Sequence, residues 1–257
     1  MKKILMLCIG IAVLWGCQKE DNLLPGEEPA FIGSRAPGDY LFAQFYAPYS
    51  GFDFSGNKCA LNQDQEKHFR SEFDYVIPAS SPVWYKIWDE FRLRQVKIEI
   101  GIDKTLNKDS MSYYQQGTIF FAEEYFEVDK SFYFQHELLH VVQDLVLGYN
   151  MDLAAGMRNY EYEVAIVLDI LNVFKRKSML EDPREYFGRP AGEAGESYDE
   201  FMEEIVQSSI EGRLMLSGPG IFQFHAWIKD WEGYKNSDYQ VSFMPRLVMY
   251  IINILFG

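Results

Sequence analysis

The stretch Phe134–Asp144, FQHELLHVVQD, places two histidines four residues apart, with a glutamate directly after the first. On an α-helix, four residues advance about 400°, so His136 and His140 project side by side one turn apart. Two imidazole nitrogens so placed can meet one Zn²⁺ at about 2.0–2.1 Å each. Glu137 stands about 100° round the helix from His136, too far to join as an equal ligand from the same face. It can instead act as a base toward a water that the metal activates, so H-E-x-x-H fits metal-assisted hydrolysis. Leu138, Leu139, Val142 and Leu145 offer apolar packing away from the histidine stripe, and Gln143 and Asp144 extend the polar side. The rival reading is an ordinary amphipathic helix whose polar face carries two histidines.

Outward from this helix, the pattern changes between the two halves of the chain. Tyr85–Arg94 has helical spacing, with Ile87, Trp88 and Phe91 apolar. Gln95–Ile102 alternates, with Val96, Ile98, Ile100 and Ile102 on one face of an expected strand. Gly117–Phe121 opens a second β-rich run expected to end near Val128. The histidine helix is expected over about 130–147, stopped by Gly148 in a C-terminal cap position. Beyond it, Met157–Lys177, Ser197–Leu216, Phe222–Trp231 and Met244–Phe256 read as helices. A small mixed sheet, then the histidine helix, then a mainly helical half is an α+β architecture rather than alternating βαβ units.

A catalytic zinc site needs a third protein ligand, leaving the fourth position for water or substrate. Asn159–Ala165, NYEYEVA, opens the next helix and offers Glu161 and Glu163, which lie about 200° apart and so cannot both face one metal. HELLH with a glutamate on the following helix resembles the gluzincin branch of the zincin metallopeptidases. HELLHVVQ with NYEYEVAIVLDI also looks like a set of Bacteroidota lipoproteins carrying the same signature, over roughly 117–171. The resemblance implies a zincin-like fold, Zn²⁺ held by His136, His140 and Glu161 (alternatively Glu163), and Glu137 as catalytic base. In gluzincins an acid four residues after the ligand glutamate often supports a histidine; here that position is Ala165. Asp169, about 80° round the helix from Glu161, takes that second role only with a bend or a favourable rotamer. Glu200 and Glu203 suit a solvated helix face. An oxyanion donor is also required. His225 is the candidate, with His68 far upstream, and each residue of this kind is more often an ordinary surface or packed histidine.

The start of the chain has its own pattern. Lys2 and Lys3 precede an apolar run, Ile4–Trp15, too short to span a bilayer and laid out as a signal peptide. Leu14-Trp15-Gly16-Cys17 resembles the lipobox of bacterial lipoproteins, which implies a signal peptide over 1–16 and a lipidated Cys17. Gln18-Lys19-Glu20-Asp21-Asn22 resembles the export signal of Bacteroidota lipoproteins displayed on the outer membrane, implying a surface location. Residues 17–38, rich in proline, glycine and acids, read as a flexible tether, and 39–257 as one domain. With Cys8 removed and Cys17 acylated, Cys59 is left alone and reads as a small buried hydrophobe.

The chain of 257 residues has 48% hydrophobic residues, enough for a sizeable core, and a formal net charge of -14, which argues against nucleic-acid binding. The expected partners are a peptide or protein substrate, and a membrane through the lipid anchor only. The run at Gly117–Phe121 can pair with a peptide if it is an edge strand, or lie inside the sheet. The aromatic content of 16% suits a core more readily than a sugar platform. A zinc peptidase is therefore the expectation. The alternative is a non-catalytic surface lipoprotein that binds glycan or protein on a zincin-like scaffold.

Overall fold

A computed structural model describes residues 56–73, 82–107, 110–127, 131–151, 156–213 and 221–257. The expected signal peptide, the tether and Cys17 lie outside these residues. Among the described residues are four short strands and seven α-helices, an α+β arrangement.

The strands are β1 (Lys58–Ala60), β2 (Glu99–Asp103), β3 (Ser112–Gln115) and β4 (Thr118–Phe121), arranged β1-β2-β4-β3. The β2–β4 pair is parallel, and both outer pairs are antiparallel. β3, hidden from sequence reasoning by its brevity, is joined to β4 by Gln116-Gly117, both with positive φ (48° and 85°). Two such residues make a tight hairpin turn, and glycine tolerates the second position without strain. The β-run at Gly117–Phe121 is therefore an internal strand, every residue of β4 buried, and the edge beside it belongs to β3. It also stops earlier than expected, because Glu123–Glu127 turns as a 3₁₀ helix. β2 starts later than its alternation suggests, because Val96 N–H bonds back to the Phe91 carbonyl and Gln95 takes φ 53°, closing the preceding helix.

The first helix, α1 (Gln63–Ser71), is announced by a capping box: Asn62 and Gln65 each receive the other's backbone N–H, at 3.0 and 2.9 Å. α2 (Pro82–Leu93) follows, then α3 (Ser131–Val141), which continues into one wide π-helical turn, Val142–Val146. Gly148 ends it with φ 65° and a bond to the Asp144 carbonyl. Phe134 is fully buried and rings with Phe69, Phe73 and Phe121, so this anchor sets how α3 sits before either histidine is considered. Tyr125, Trp84 and Trp88 join the same core, where the aromatic content is spent.

The helical half is built on α4 (Met157–Arg176), around which α3, α5 (Glu193–Glu211), α6 (Ile221–Asp230) and α7 (Arg246–Phe256) pack. Burial on nearly every side explains why α4 reads YEVAIVLDILNV, apolar almost all round. Glu200 and Glu203 are exposed on α5. Cys59 is half-buried in β1 and forms no disulfide among the described residues. No helix among the described residues is long and apolar enough to cross a membrane.

Candidate metal centre

α3 and the first turns of α4 bring His136, His140 and Glu161 to one point. His136 Nε2 and His140 Nε2 are 3.2 Å apart; Glu161 Oε2 lies 3.2 Å from the first and Oε1 3.3 Å from the second. Tetrahedral zinc with bonds of about 2.0–2.1 Å has its ligand atoms about 3.3–3.4 Å apart. The two histidine nitrogens, and each of them with its own nearer Glu161 oxygen, therefore already stand at the spacing of neighbouring ligands in such a site. Glu161 Oε2 is buried and makes no well-directed hydrogen bond despite its closeness to His136, an orphan that a cation would satisfy. The donor set, two imidazoles and one carboxylate, is that of a catalytic zinc site.

Electrostatics couples the three groups. Burial alone would raise Glu161, but His140 and His136 hold its carboxyl well below the usual range. Burial likewise opposes a charge on His140, and the Glu161 carboxylate outweighs it, pushing His140 up to about 9. Each of the two thus favours the other's charged form against the cost of burial.

Glu137 is buried, and its Oε1 accepts a 2.8 Å hydrogen bond from Ser112 Oγ at the start of edge strand β3. Burial pushes its carboxyl up, against the lowering pull of His136 and His140. Ser112 was invisible in the sequence, because its partner lies 25 residues on and meets it only through the packing of α3 on the sheet.

Glu163, the alternative third ligand, faces elsewhere. Its Oε1 accepts from Leu247 N–H at 2.8 Å and from Tyr149 Oη–H at 3.1 Å, and its Oε2 from Gln143 Nε2 at 3.0 Å. It caps the amino end of α7 from another helix, which is why an acid sits fully buried there. Burial still pushes it up to about 7. Gln143 does for His140 what a second acid was expected to do: its Oε1 is 2.8 Å from His140 Nδ1.

Asp169 does not support a histidine. It is fully buried and accepts from Phe187 N–H at 2.8 Å, Gly188 N–H at 2.7 Å and Tyr198 Oη–H at 2.6 Å. At about 80° round α4 from Glu161 it faces α5 and its approach loop rather than α3. That loop sets Phe187 against Phe132, ring centroids 4.8 Å apart, and Phe132 lies one turn before His136. His225, the oxyanion candidate, lies on α6 with both ring nitrogens buried and without a well-formed hydrogen bond; no hydrogen bond, ion pair or ring contact joins it to the three-residue cluster. His68 packs edge-on against Phe69, Tyr125 and Phe126. Tyr160 directs its hydroxyl to the Asn150 carbonyl, and Tyr162 is buried against Phe224 and Trp231.

No protein-family model matches the chain, and neither does any curated protein or solved structure.

Proposed function

We propose that the protein is a zinc-dependent peptide hydrolase of the H-E-x-x-H type, similar to gluzincins, with His136, His140 and Glu161 as the metal ligands. The observation that carries this reading is the convergence of the three side chains, with the two histidine nitrogens 3.2 Å apart and each 3.2–3.3 Å from one of the two Glu161 oxygens. When bound, zinc supplies a Lewis acid that makes water acidic near neutral pH and polarises a carbonyl. The residues of the chain do the rest. Glu137 accepts the proton of the attacking water and returns it to the departing amine nitrogen. Its burial suits that exchange, since a carboxylate held out of water takes up a proton more readily. Ser112 holds the carboxylate in place while it does so. The outer edge of β3, which begins at Ser112, offers backbone groups for pairing with an extended peptide. The proposed setting is the bacterial outer membrane, reached through acylation of Cys17, a reading supported by the pattern at residues 1–22.

The test pairs metal analysis of the domain with Glu137→Gln. Parent and variant are both expected to hold about one zinc per chain. The parent cleaves members of a peptide library in a chelator-sensitive way, and the variant cleaves none. A zinc-free parent, or a variant that cleaves as well as the parent, overturns the proposal.

A further inference from the structure

We infer that Gln143 is a positioning residue that fixes the His140 ring for metal binding, and that it takes its own orientation from the amino end of α7. The inference rests on the proposed metal ligands.

The Gln143 side chain is completely buried. Its Nε2 lies 3.1 Å from the Tyr160 carbonyl and 3.0 Å from Glu163 Oε2. Both neighbours accept, so the atom between them must be the amide nitrogen, and it spends both protons there. The amide oxygen is left facing His140 Nδ1 at 2.8 Å and can only accept. His140 Nδ1 therefore carries a hydrogen, which leaves Nε2, the nitrogen facing His136 and Glu161, as the one that would give its lone pair to a metal. The assignment of nitrogen and oxygen in this amide is forced by its partners rather than chosen.

Glu163 is fixed in turn. Its Oε1 accepts from Leu247 N–H at 2.8 Å and, more weakly, from Val248 N–H at 3.4 Å, in the first turn of α7. Those amides have no partner within their own helix, and the positive end of the helix favours a carboxylate. Tyr149 Oη adds a donor to Glu163 and itself accepts from Arg246 N–H at 2.9 Å. One hydrogen-bonded line thus runs from α7 through Glu163 and Gln143 to His140. It joins residues more than a hundred positions apart in the sequence. The wide turn at Val142–Val146 begins just before Gln143, so the helix opens where the amide must reach both α4 and His140. His136 has no equivalent: among the described residues its second nitrogen meets no hydrogen-bonding partner.

The experiment measures zinc affinity by chelator competition on the full chain. Gln143→Met keeps the length and removes the bonds, and it is expected to bind zinc about 10–100-fold more weakly. Because that change leaves Glu163 and the Tyr160 carbonyl short of a donor, the exchange Gln143→Glu with Glu163→Gln is the second arm. The new carboxylate accepts from His140 and from the amide now at 163, whose oxygen accepts from Leu247; the Tyr160 carbonyl loses its donor in the exchange and in Gln143→Glu alone, so that loss cancels between the two. The double variant is expected to bind zinc at least about tenfold more tightly than Gln143→Glu alone, which sets two carboxylates against each other. In the parent itself, ¹⁵N spectra of the zinc-loaded protein should show His140 protonated at Nδ1 and bound through Nε2. Coordination through Nδ1, a folded Gln143→Met with parental affinity, or a folded exchange variant no better than Gln143→Glu alone overturns the inference and leaves the metal ligands standing. A parent that binds no zinc removes the metal reading and this inference with it.

Discussion

Glu161→Gln removes one negative charge from the centre while leaving its shape almost untouched. If the parent holds zinc as proposed, a thousandfold excess over the dissociation constant would add about 4.1 kcal/mol to its folding stability. For a domain of this size each kcal/mol moves the melting temperature by about 2–4 °C, so the expected rise is about 8–16 °C. Glu161 is the one acidic member of the cluster, with one oxygen 3.2 Å from His136 Nε2 and the other 3.3 Å from His140 Nε2. At a zinc–oxygen bond of about 2.0–2.2 Å and an effective dielectric constant of about 20, a carboxylate is worth about 8 kcal/mol per unit of cation charge. A thousandfold loss of affinity, about 4.1 kcal/mol, is a modest share of that for a divalent ion. At the same zinc concentration the variant would then retain only about 0.4 kcal/mol of linked stability. Its melting point would move by about 1–2 °C. Without metal the variant is expected to melt below the parent, because His140 loses the carboxylate that supports its charge, so each protein's zinc-dependent rise is read against its own metal-free melting point. Circular-dichroism melts of metal-free protein, repeated with zinc and again with excess chelator, make the comparison. A variant that keeps the parent's full zinc-dependent rise would falsify the assignment of Glu161.

Ser112→Ala should lower kcat by about tenfold to a hundredfold, since a hydrogen bond to a charged group is worth about 1.5–3 kcal/mol; zinc content stays at the parental level, and an unchanged kcat refutes the role. Gly188→Ala should destabilise the fold by about 1–3 kcal/mol, because an added methyl would lie 2.6 Å from Tyr198 Oη and 3.1 Å from Ile166; urea titration reads the shift. Burial pushes Asp169 up to about 7 from an ordinary 3.8, although its three donors pull the other way. Between those values the folded chain binds more protons than the unfolded one, so this group's contribution to stability is present below pH 4 and lost as pH rises through 7. Asp169→Asn should therefore be less stable than the parent at pH 4, where its amide opposes the Gly188 N–H, and the gap should narrow toward pH 8; a gap that widens refutes the assignment.

How much could be read beforehand depended on the range of the interaction. The pairing of His136 with His140 and the offset of Glu137 follow from helical rotation, so they were legible within five residues. So were the stop at Gly148 and the split into a β-containing and a helical half. Short strands were harder: β3 has four residues, and a tight turn rather than a periodic pattern marks its end.

What the sequence by itself determined is therefore local: two imidazoles on one helical face, a glutamate beside them, and two candidate acids on the next helix that cannot share a metal. Only the packing of α4 against α3 and α7 decided between those acids. Glu161 meets the histidines, whereas Glu163 meets the open amides of α7, 84 residues further along. The same packing took Asp169 away to the loop before α5 and put Gln143 in its expected place. The physical reason is that a buried carboxylate goes where donors or cations can satisfy it. Which donors lie within reach is a property of the assembled helices, not of any one of them.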